Sequence, residues 1–294
     1  MDELRWPFLG SEVLAAKAIP ERAMRAIYGP VYPGVYVPWG IELTARQRGQ
    51  AAWLWSRRRA VIAGNSAAAL LGAKWVDPRA PAELAYNNRH PPAGIIVHTD
   101  TLLPGEVQVI EGISVTSPAR TAFDLGRRTI SRMQAVQRLD ALTNATDVKV
   151  TDVEAIIAEH SGTRGLLRLR GVLPLVDGGA ESPQETRTRL VLIDAGLPKP
   201  QTQIRVSDDY GDFVARIDMG YEDLRVGIEY DGPQHWTDRQ QRDRDIDRYT
   251  ALLDLGWTII RASSELLRYR QGTVVARVVA AMRAAGWGVN DRRV

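Results

Sequence analysis

Two acidic residues and a histidine gather at one predicted strand end, in the stretch GIEYDGPQHW. Ile228 and Tyr230 alternate as the buried side of a strand would, so Glu229 and Asp231 share the opposite face. Like charges on one face repel each other, and His235 follows shortly after in a chain that has only 4 histidines. Side chains of these types in this order suggest acid–base chemistry or a metal site.

A third carboxylate comes from the preceding strand. Asp218 lies near the end of a predicted strand over 213–219, while Glu229 and Asp231 lie on a second strand over 224–231. Facing residues on adjacent antiparallel strands come within about 5 Å, so three carboxylates from such a pair can surround one divalent ion. Without a cation, like charges at that spacing raise one another's pKa and destabilise the fold. The cluster therefore predicts a metal site that takes Mg²⁺ or Mn²⁺.

The elements predicted around this cluster form a compact α/β unit with a mixed sheet. Besides the strand pair, they are a helix over 182–195, a strand over 203–206, a helix over 239–255, a strand over 258–261 and a helix over 273–285. An Asp-Gly-Gly break in LPLVDGGAESP separates this unit from a helical stretch over 131–172. We therefore place the last domain boundary near residues 174–180.

Four segments of this unit resemble the PD-(D/E)XK nuclease fold, and most closely its very-short-patch-repair branch. They are ESPQETRTRL, ARIDMGY, GIEYDGPQHW and LGWTIIR, and the resemblance covers residues 181–285 in the right order. The resemblance implies a restriction-endonuclease-like domain that binds metal through Asp218 and Glu229. It also implies the backbone carbonyl of Tyr230 as a further ligand.

The same resemblance implies roles for other polar side chains. Glu185 would be the acid on the first helix, and Asp231 and His235 would hold or activate the attacking water. Asp245 and Arg248 lie on one helical face, where Arg248 would steady a phosphate or pair with a strand acid. Structural alternatives stay open for three of these residues: a helix-capping box for Glu185, a simple turn for Asp231 and a packed ring for His235.

One position departs from the general nuclease pattern. The lysine of (D/E)XK is expected two residues after Glu229, where this chain has Asp231. The very-short-patch-repair branch also lacks that lysine and places a histidine in its active site. This makes His235 the implied substitute, and it leaves a domain without catalytic activity as an alternative.

The N-terminal residues 1–43 predict a small winged helix. Two short helices within 10–28 break near Pro20, and GPVYPGVYVPWG predicts a tight β-ribbon. Arg22 and Arg25 make the second helix basic, which is compatible with DNA contact and with a plain helical hairpin.

Three segments in the first half resemble the AbiEi family of antitoxins. They are GPVYPGVYVPWG, AGNSAAALLG and VTSPARTAFDLGRR, and the resemblance covers residues 4–130. It implies a winged helix that binds operator DNA, followed by an α/β domain. We place that antitoxin-like domain, with its helical stretch, at 44–175 and the nuclease-like domain at 176–294. The predicted fold class of the whole chain is α/β, of the mixed α+β kind.

Composition sets only broad limits. At 294 residues the chain exceeds the usual size of a single core, and its 45% hydrophobic and 25% charged residues are typical of a globular protein. The net charge of +3 permits nucleic-acid binding without requiring it. No membrane span or signal peptide is recognisable, and the absence of cysteine agrees with a reducing compartment. We expect a cytoplasmic protein with no membrane partner.

The sequence thus favours a DNA endonuclease or nickase that depends on Mg²⁺ or Mn²⁺ and acts on double-stranded DNA, in repair or defence. The sequence leaves open whether the chain forms a homodimer. The alternatives are a non-catalytic DNA-binding regulator with a degenerate nuclease domain and a nuclease directed at RNA. Metal-dependent nicking of a plasmid separates the first alternative from the enzyme.

Overall fold

The computed structural model describes residues 5–88, 90–232 and 239–288, with the side chains of 239–246 excepted. The chain divides into two compact units, Met1–Val176 and Asp177–Val294. The fold is α/β of the mixed kind, as predicted. The separation of the first unit into domains at 1–43 and 44–175 stays a prediction. No helix among the described residues is long and apolar enough to cross a membrane.

The first unit begins with the helix, helix and ribbon order expected of a small winged helix. Its elements are β1 (Phe8–Leu9), α1 (Gly10–Ala15), α2 (Glu21–Ile27), β2 (Tyr28–Tyr32) and β3 (Val35–Pro38). The strands form an antiparallel sheet in the order β1-β3-β2. Gly34 supplies the positive φ of 79° that the ribbon turn requires. Phe8, Val13 and Met24 pack together and attach the two helices to the ribbon.

A five-stranded mixed sheet with helices makes up the rest of this unit. The elements are α3 (Ala45–Trp55), β4 (Val61–Ile62), α4 (Gly64–Leu70), β5 (Ala82–Ala85), β6 (Ile95–His98), β7 (Val107–Ile110), β8 (Ile113–Thr116), α5 (Pro118–Arg128), α6 (Arg132–Ala145), α7 (Val150–Glu159) and α8 (Leu166–Val172). The strand order is β6-β5-β4-β8-β7, with β4–β8 and β5–β6 parallel. Ile62, Leu84 and Val115 lie fully buried at its centre.

The polar residues of the segment VTSPARTAFDLGRR have structural roles. Ser117 caps α5, and Arg120, 1% exposed, lies between Glu106 at 2.5 Å and Asp124 at 3.1 Å. His160 of the region after α7 approaches the other oxygen of Glu106 at 2.5 Å. Buried charges are tolerated only when they are paired in this way, so the network stabilises one arrangement of α5 against the loop before β7.

The segment AGNSAAALLG contacts a second buried carboxylate, that of Glu83. The N–H and the side-chain amide of Asn65 donate to Oε1 of Glu83 at 3.0 and 2.6 Å, and His98 lies 2.8 Å from Oε2. A Cβ atom on Gly64 would lie 2.2 Å from the Glu83 carboxylate, which makes glycine the fitting residue there. These contacts tie α4 to β5 and β6.

The second unit is built around a four-stranded mixed sheet. Its elements are α9 (Pro183–Asp194), β9 (Gln201–Ser207), β10 (Phe213–Tyr221), β11 (Val226–Asp231), α10 (Arg239–Asp254), β12 (Thr258–Ser263), α11 (Ser264–Tyr269) and α12 (Gln271–Ala284). The strand order is β12-β11-β10-β9, with β11–β12 parallel and the other pairs antiparallel. The predicted mixed sheet is confirmed, while the short helix α11 was not predicted.

Two apolar clusters attach the helices to this sheet. Ile228 of β11 packs with Leu192 of α9 and with residues of α12. Ile217 of β10 packs with Leu252 of α10 and with Trp257. Because α9 and α10 are both anchored to the central strands, they can present polar side chains to the end where β10 and β11 separate.

Candidate active site

Asp218 and Glu229 meet where β10 and β11 separate. The last ladder pair towards this end joins Met219 to Ile228, so continuing the register places Asp218 opposite Glu229. The backbone N–H of Tyr230 donates to Oδ2 of Asp218 at 2.8 Å instead of to a strand carbonyl. The carboxylate of Asp218 is thereby fixed against β11, beside the other acid.

Glu229 is buried and surrounded by hydrogen-bond donors. The guanidinium of Arg248 donates to both of its oxygens, at 2.9 and 3.0 Å, and the hydroxyl of Tyr249 donates to Oε2. The residue is only 6% exposed. Of the two roles that the sequence left open for Arg248, the described contact is the ion pair with a strand acid. The negative charge of Glu229 is therefore compensated within the chain.

Asp231 has its own arginine partner. Arg261, on the neighbouring strand β12, lies 2.7 Å from Oδ2 of Asp231. The other oxygen, Oδ1, is buried and has no hydrogen-bond partner among the described residues. The guanidinium groups of Arg248 and Arg261 lie 4.7 and 5.4 Å from the ring centre of Tyr249. Two cations and one aromatic ring therefore offset the repulsion that the sequence predicted between the strand acids.

Glu185 lies in the first turn of α9, close to the other acids. Its Oε2 accepts from the N–H of Glu181 at 2.9 Å and from the side-chain amide of Gln203 at 3.3 Å. Ser182 caps the helix by accepting from the Glu185 N–H at 3.2 Å. In a regular capping box, the carboxylate would accept from the N–H of the N-cap residue, Ser182. Here it accepts from the N–H of Glu181, one residue earlier. Burial raises the pKa of this carboxyl group.

The pKa of Asp218 is strongly raised by its surroundings. Burial raises its pKa to about 7, and the negative charges of Glu185 and Glu229 act in the same direction. The Tyr230 N–H and the charge of Arg248 oppose the increase without cancelling it. A carboxyl group with a pKa near neutrality is a common property of active sites, because it can exchange a proton or accept a cation under physiological conditions.

We expect the Asp218→Asn variant to be more stable than the native chain at pH 8 when metal is removed with EDTA. The pKa of Asp218 in the folded protein, about 7, lies above its ordinary value of 3.8, so folding favours the protonated form. The native free energy of unfolding should fall as the pH rises from about 4 to about 7, whereas the variant lacks this loss. The gain should reach a few kcal/mol above pH 7 and vanish near pH 4.

Denaturant unfolding across that pH range measures this difference. The matched control is Asp212→Asn, which changes an exposed acid of the turn before β10. The control variant should follow the native pH profile. A constant difference between the Asp218→Asn and native curves at every pH would contradict the assigned pKa.

The donor set of this site suits a hard divalent cation in chemical type. Carboxylate oxygens are the preferred ligands of Mg²⁺ and Mn²⁺, and Asp231 has a buried oxygen without a partner among the described residues. As placed, the described part of the chain contains no group of three acidic or histidine side chains that could hold an ion. Arg248 and Tyr249 occupy both oxygens of Glu229. The positive charge of Arg248 opposes a cation beside Glu229, so ligation by Asp218 and Glu229 is favoured when this arginine moves away from the carboxylate.

Several predicted residues stay predictions. His235 and the side chain of Asp245 lie outside the described residues. The carbonyl of Tyr230 as a metal ligand also stays a prediction, while the N–H of the same residue donates to Asp218. Two residues that the sequence analysis did not single out, Tyr249 and Arg261, complete the cluster.

Of the arginines predicted to contact DNA, Arg22 and Arg25 are exposed on α2. Arg25 forms an ion pair with Glu21 at 2.6 Å, one helical turn earlier, while Arg22 points to a solvent-exposed position. By contrast, Arg58 pairs with Glu12 of α1 and attaches the end of α3 to the winged helix. The consecutive arginines Arg57, Arg58 and Arg59 therefore include a structural contact within the first unit.

Comparisons with known proteins cover both units. The model of the AbiEi antitoxin C-terminal domain matches residues 60–175, and the REase_MTES_1575 model, a restriction-endonuclease-like domain, matches residues 189–282. Both resemblances drawn from the sequence are confirmed at this level. The winged helix and Glu185 lie outside the matched ranges, whereas Asp218, Glu229 and Arg248 lie inside.

Two curated relatives come from Mycobacterium tuberculosis. They are Uncharacterized protein MT2308 of strain CDC 1551 / Oshkosh and Uncharacterized protein Rv2248 of strain ATCC 25618 / H37Rv. Each is 33% identical over 188 residues, which cover 64% of this chain and 68% of the relative. No solved structure matches significantly.

Proposed function

Because this chain belongs to the family of the Mycobacterium tuberculosis proteins MT2308 and Rv2248 and carries a restriction-endonuclease-like domain, we propose that it hydrolyses phosphodiester bonds of double-stranded DNA with a divalent metal ion. The names of the two relatives state no activity, so the proposal rests on the matched domain and on the site. Mg²⁺ or Mn²⁺ is the proposed metal.

The observation that carries the proposal is the placement of Asp218 opposite Glu229 where β10 and β11 separate, inside the matched restriction-endonuclease-like domain. Glu185 of α9 and Glu229 of β11 both act on the pKa of Asp218 from β10, which rises to about 7. A fold gains no stability from such a group at neutral pH, because the buried charge is costly. Structural ion pairs also perturb pKa values, but here the perturbed acid lies inside the matched nuclease domain.

Five side chains of the site have a proposed task in hydrolysis. Asp218 and Glu229 would hold the metal, which when bound supplies positive charge beside the phosphate and lowers the pKa of water. Asp231, whose Oδ1 has no hydrogen-bond partner among the described residues, would orient the attacking water by accepting a hydrogen bond. Arg248, about a third exposed beside Glu229, would pair with a phosphate oxygen. His235 would accept the proton of the water, a role that rests on the resemblance alone.

The N-terminal unit would supply affinity for DNA. An AbiEi antitoxin domain follows a helix, helix and ribbon segment whose second helix exposes Arg22 and Arg25. Arginines on such a helix contact phosphates, and binding should weaken as salt rises, because phosphate contacts release counterions.

A second candidate function is a non-catalytic, antitoxin-like DNA-binding regulator. The specific observation in its favour is that both oxygens of Glu229 are occupied by Arg248 and Tyr249. The residue two positions after Glu229 is Asp231 rather than the lysine of the general nuclease pattern. On this alternative, the cluster would be a structural ion-pair network in a degenerate nuclease domain.

Nicking of supercoiled plasmid by the full chain tests the proposal. We expect relaxed or linear DNA in Mg²⁺ or Mn²⁺, no conversion in EDTA, and no comparable cleavage of RNA. Operator-like DNA binding in a gel without nicking in either metal would favour the regulator. Cleavage of RNA in preference to DNA would contradict the proposed substrate.

A further inference from the structure

The contacts of Glu229 pose a problem for a metal ligand. Arg248 donates to Oε1 and Oε2 at 2.9 and 3.0 Å, and Tyr249 adds a hydroxyl to Oε2. The Glu229 side chain is 8% exposed. These three donors leave one acceptor site, on Oε1, and the positive charge of Arg248 beside it opposes an incoming cation unless the guanidinium moves away.

Arg248 is the donor that can leave. Its side chain is 30% exposed, in contrast to the buried carboxylate, so it can turn outwards without unfolding α10. The ring of Tyr249, 4.7 Å from the guanidinium, offers a surface on which the arginine can rest beside the site. Tyr249 does not compete with the metal ion in the same way, because its hydroxyl carries no positive charge. Burial raises the pKa of this hydroxyl, which keeps it neutral.

The charges of the cluster favour an exchange of cations over simple addition. With Arg248 and Arg261 both present, Glu229 and Asp231 are each paired, and only Asp218 among the strand acids has no arginine partner in the described contacts. A divalent ion placed between Asp218 and Glu229 would compensate both, and it would repel the guanidinium that it displaces.

We propose that Arg248 is a resident counter-charge of Glu229, which a divalent ion must displace, and that the released guanidinium then serves as the phosphate-binding group of the same site. The proposal rests on the proposed nuclease function and adds an order of events to it. Without metal, Arg248 stays paired with Glu229, and metal binding makes this arginine available to DNA. Arg248 is accordingly a positioning residue before the metal binds and a substrate-binding residue afterwards.

Calorimetric titration of the full chain with Mn²⁺, in the absence of DNA, tests the exchange. The Arg248→Met variant keeps the apolar stem and removes the competing charge. It should bind Mn²⁺ roughly tenfold more tightly or better than the native chain, the scale of one close charge pair. Cleavage by the same variant should fall, because the phosphate partner is lost. A purely structural ion pair would not move these two measurements in opposite directions.

The matched control is Arg261→Met, which removes an equal charge from the neighbouring acid Asp231. It separates competition at Glu229 from a general increase in negative potential. The increase in Mn²⁺ affinity should be clearly larger for Arg248→Met than for Arg261→Met. Equal increases, or no increase for Arg248→Met, would overturn the exchange.

Two further variants keep the test decisive if Arg248→Met does not fold. Arg248→Lys retains one positive charge but loses the paired hydrogen bonds, so its Mn²⁺ affinity should lie above the native value. Tyr249→Phe removes a neutral donor to Glu229 and should change the affinity less than Arg248→Lys. The reverse order of these two variants would contradict Arg248 as the competing cation.

The outcomes also separate this proposal from the proposed function. If the native chain binds Mn²⁺ and nicks DNA while the arginine variants bind it no better, the nuclease stands and the exchange fails. If neither the native chain nor any variant binds Mn²⁺, the metal-dependent function fails and the exchange with it. If Mn²⁺ binds only when Arg248 is replaced, Arg248 blocks the site and does not exchange with the ion, which overturns the exchange and favours the non-catalytic regulator.

Discussion

The double variant Asp218→Asn, Glu229→Gln is expected to lose both the heat of Mn²⁺ binding and the nicking activity. The two substitutions remove the carboxylates proposed to hold the metal while preserving side-chain size. Loss of the metal's charge stabilisation, worth several kcal/mol in the transition state, should reduce the nicking rate by roughly 10³-fold or more. DNA binding should remain within a few-fold of native, since most of the affinity for DNA is assigned to the N-terminal unit.

The control for this variant lies in the connection between the same two strands. Glu222 and Asp223 are exposed acids between β10 and β11, so Glu222→Gln, Asp223→Asn changes the charge equally without touching the site. Nicking and Mn²⁺ binding by the control should match the native chain. Undiminished Mn²⁺ binding by the site variant, with its fold intact by circular dichroism, would show that the metal does not use these two acids.

Most of the second unit was predictable because its strands and helices have strong local patterns. Alternation of apolar residues marked the strand that ends at Asp231, and the predicted and observed starts of α9 and α10 agree within one residue. The helix α11 was missed because it is short and follows β12 without a break; Ser263 both ends the strand and caps the helix. Such a junction carries no turn residue that would reveal it.

The approach of Asp218 to Glu229 could be predicted, whereas their partners could not. Strand register follows from a hairpin connection, so two acids on paired strands can be aligned from spacing alone. Which face of α10 meets the sheet depends on tertiary packing, here through Leu252, which packs with Ile217 of β10. That rotation decides that Arg248 and Tyr249 both reach Glu229. A pattern of charges along a helix does not contain this information.

The arginine contacts also change the electrostatic interpretation of the cluster. From the sequence, the proximity of acids seemed to require a metal ion, but guanidinium groups from α10 and β12 already compensate Glu229 and Asp231. The remaining argument for a metal is narrower and rests on Asp218, which has no arginine ion pair in the described contacts and whose pKa is raised to about 7, chiefly by burial. Metal binding at this site therefore stays a proposal that depends on exchange at Glu229.

The largest effect expected from a single substitution concerns His235, which lies outside the described residues. If its imidazole replaces the lysine that the nuclease pattern leads one to expect after Glu229, His235→Ala should leave Mn²⁺ binding nearly intact. The nicking rate should fall by roughly 10²-fold or more, the usual scale for losing a general acid or base. Calorimetry and plasmid nicking on the same preparations measure the two quantities separately.

The pH dependence of nicking decides whether the imidazole acts as the base. The native rate should fall as the pH drops through about 6.5, because a protonated ring can no longer accept the proton of water. In saturating Mg²⁺, which keeps the carboxylate of Asp218 ionised, the residual rate of His235→Ala should lack that step, while His90→Ala, an exposed histidine of the first unit, should keep the native profile. If His235→Ala cleaves at the native rate across this range, His235 is a packed residue. Proton transfer from the water then falls to Asp231, whose buried Oδ1 has no other described partner.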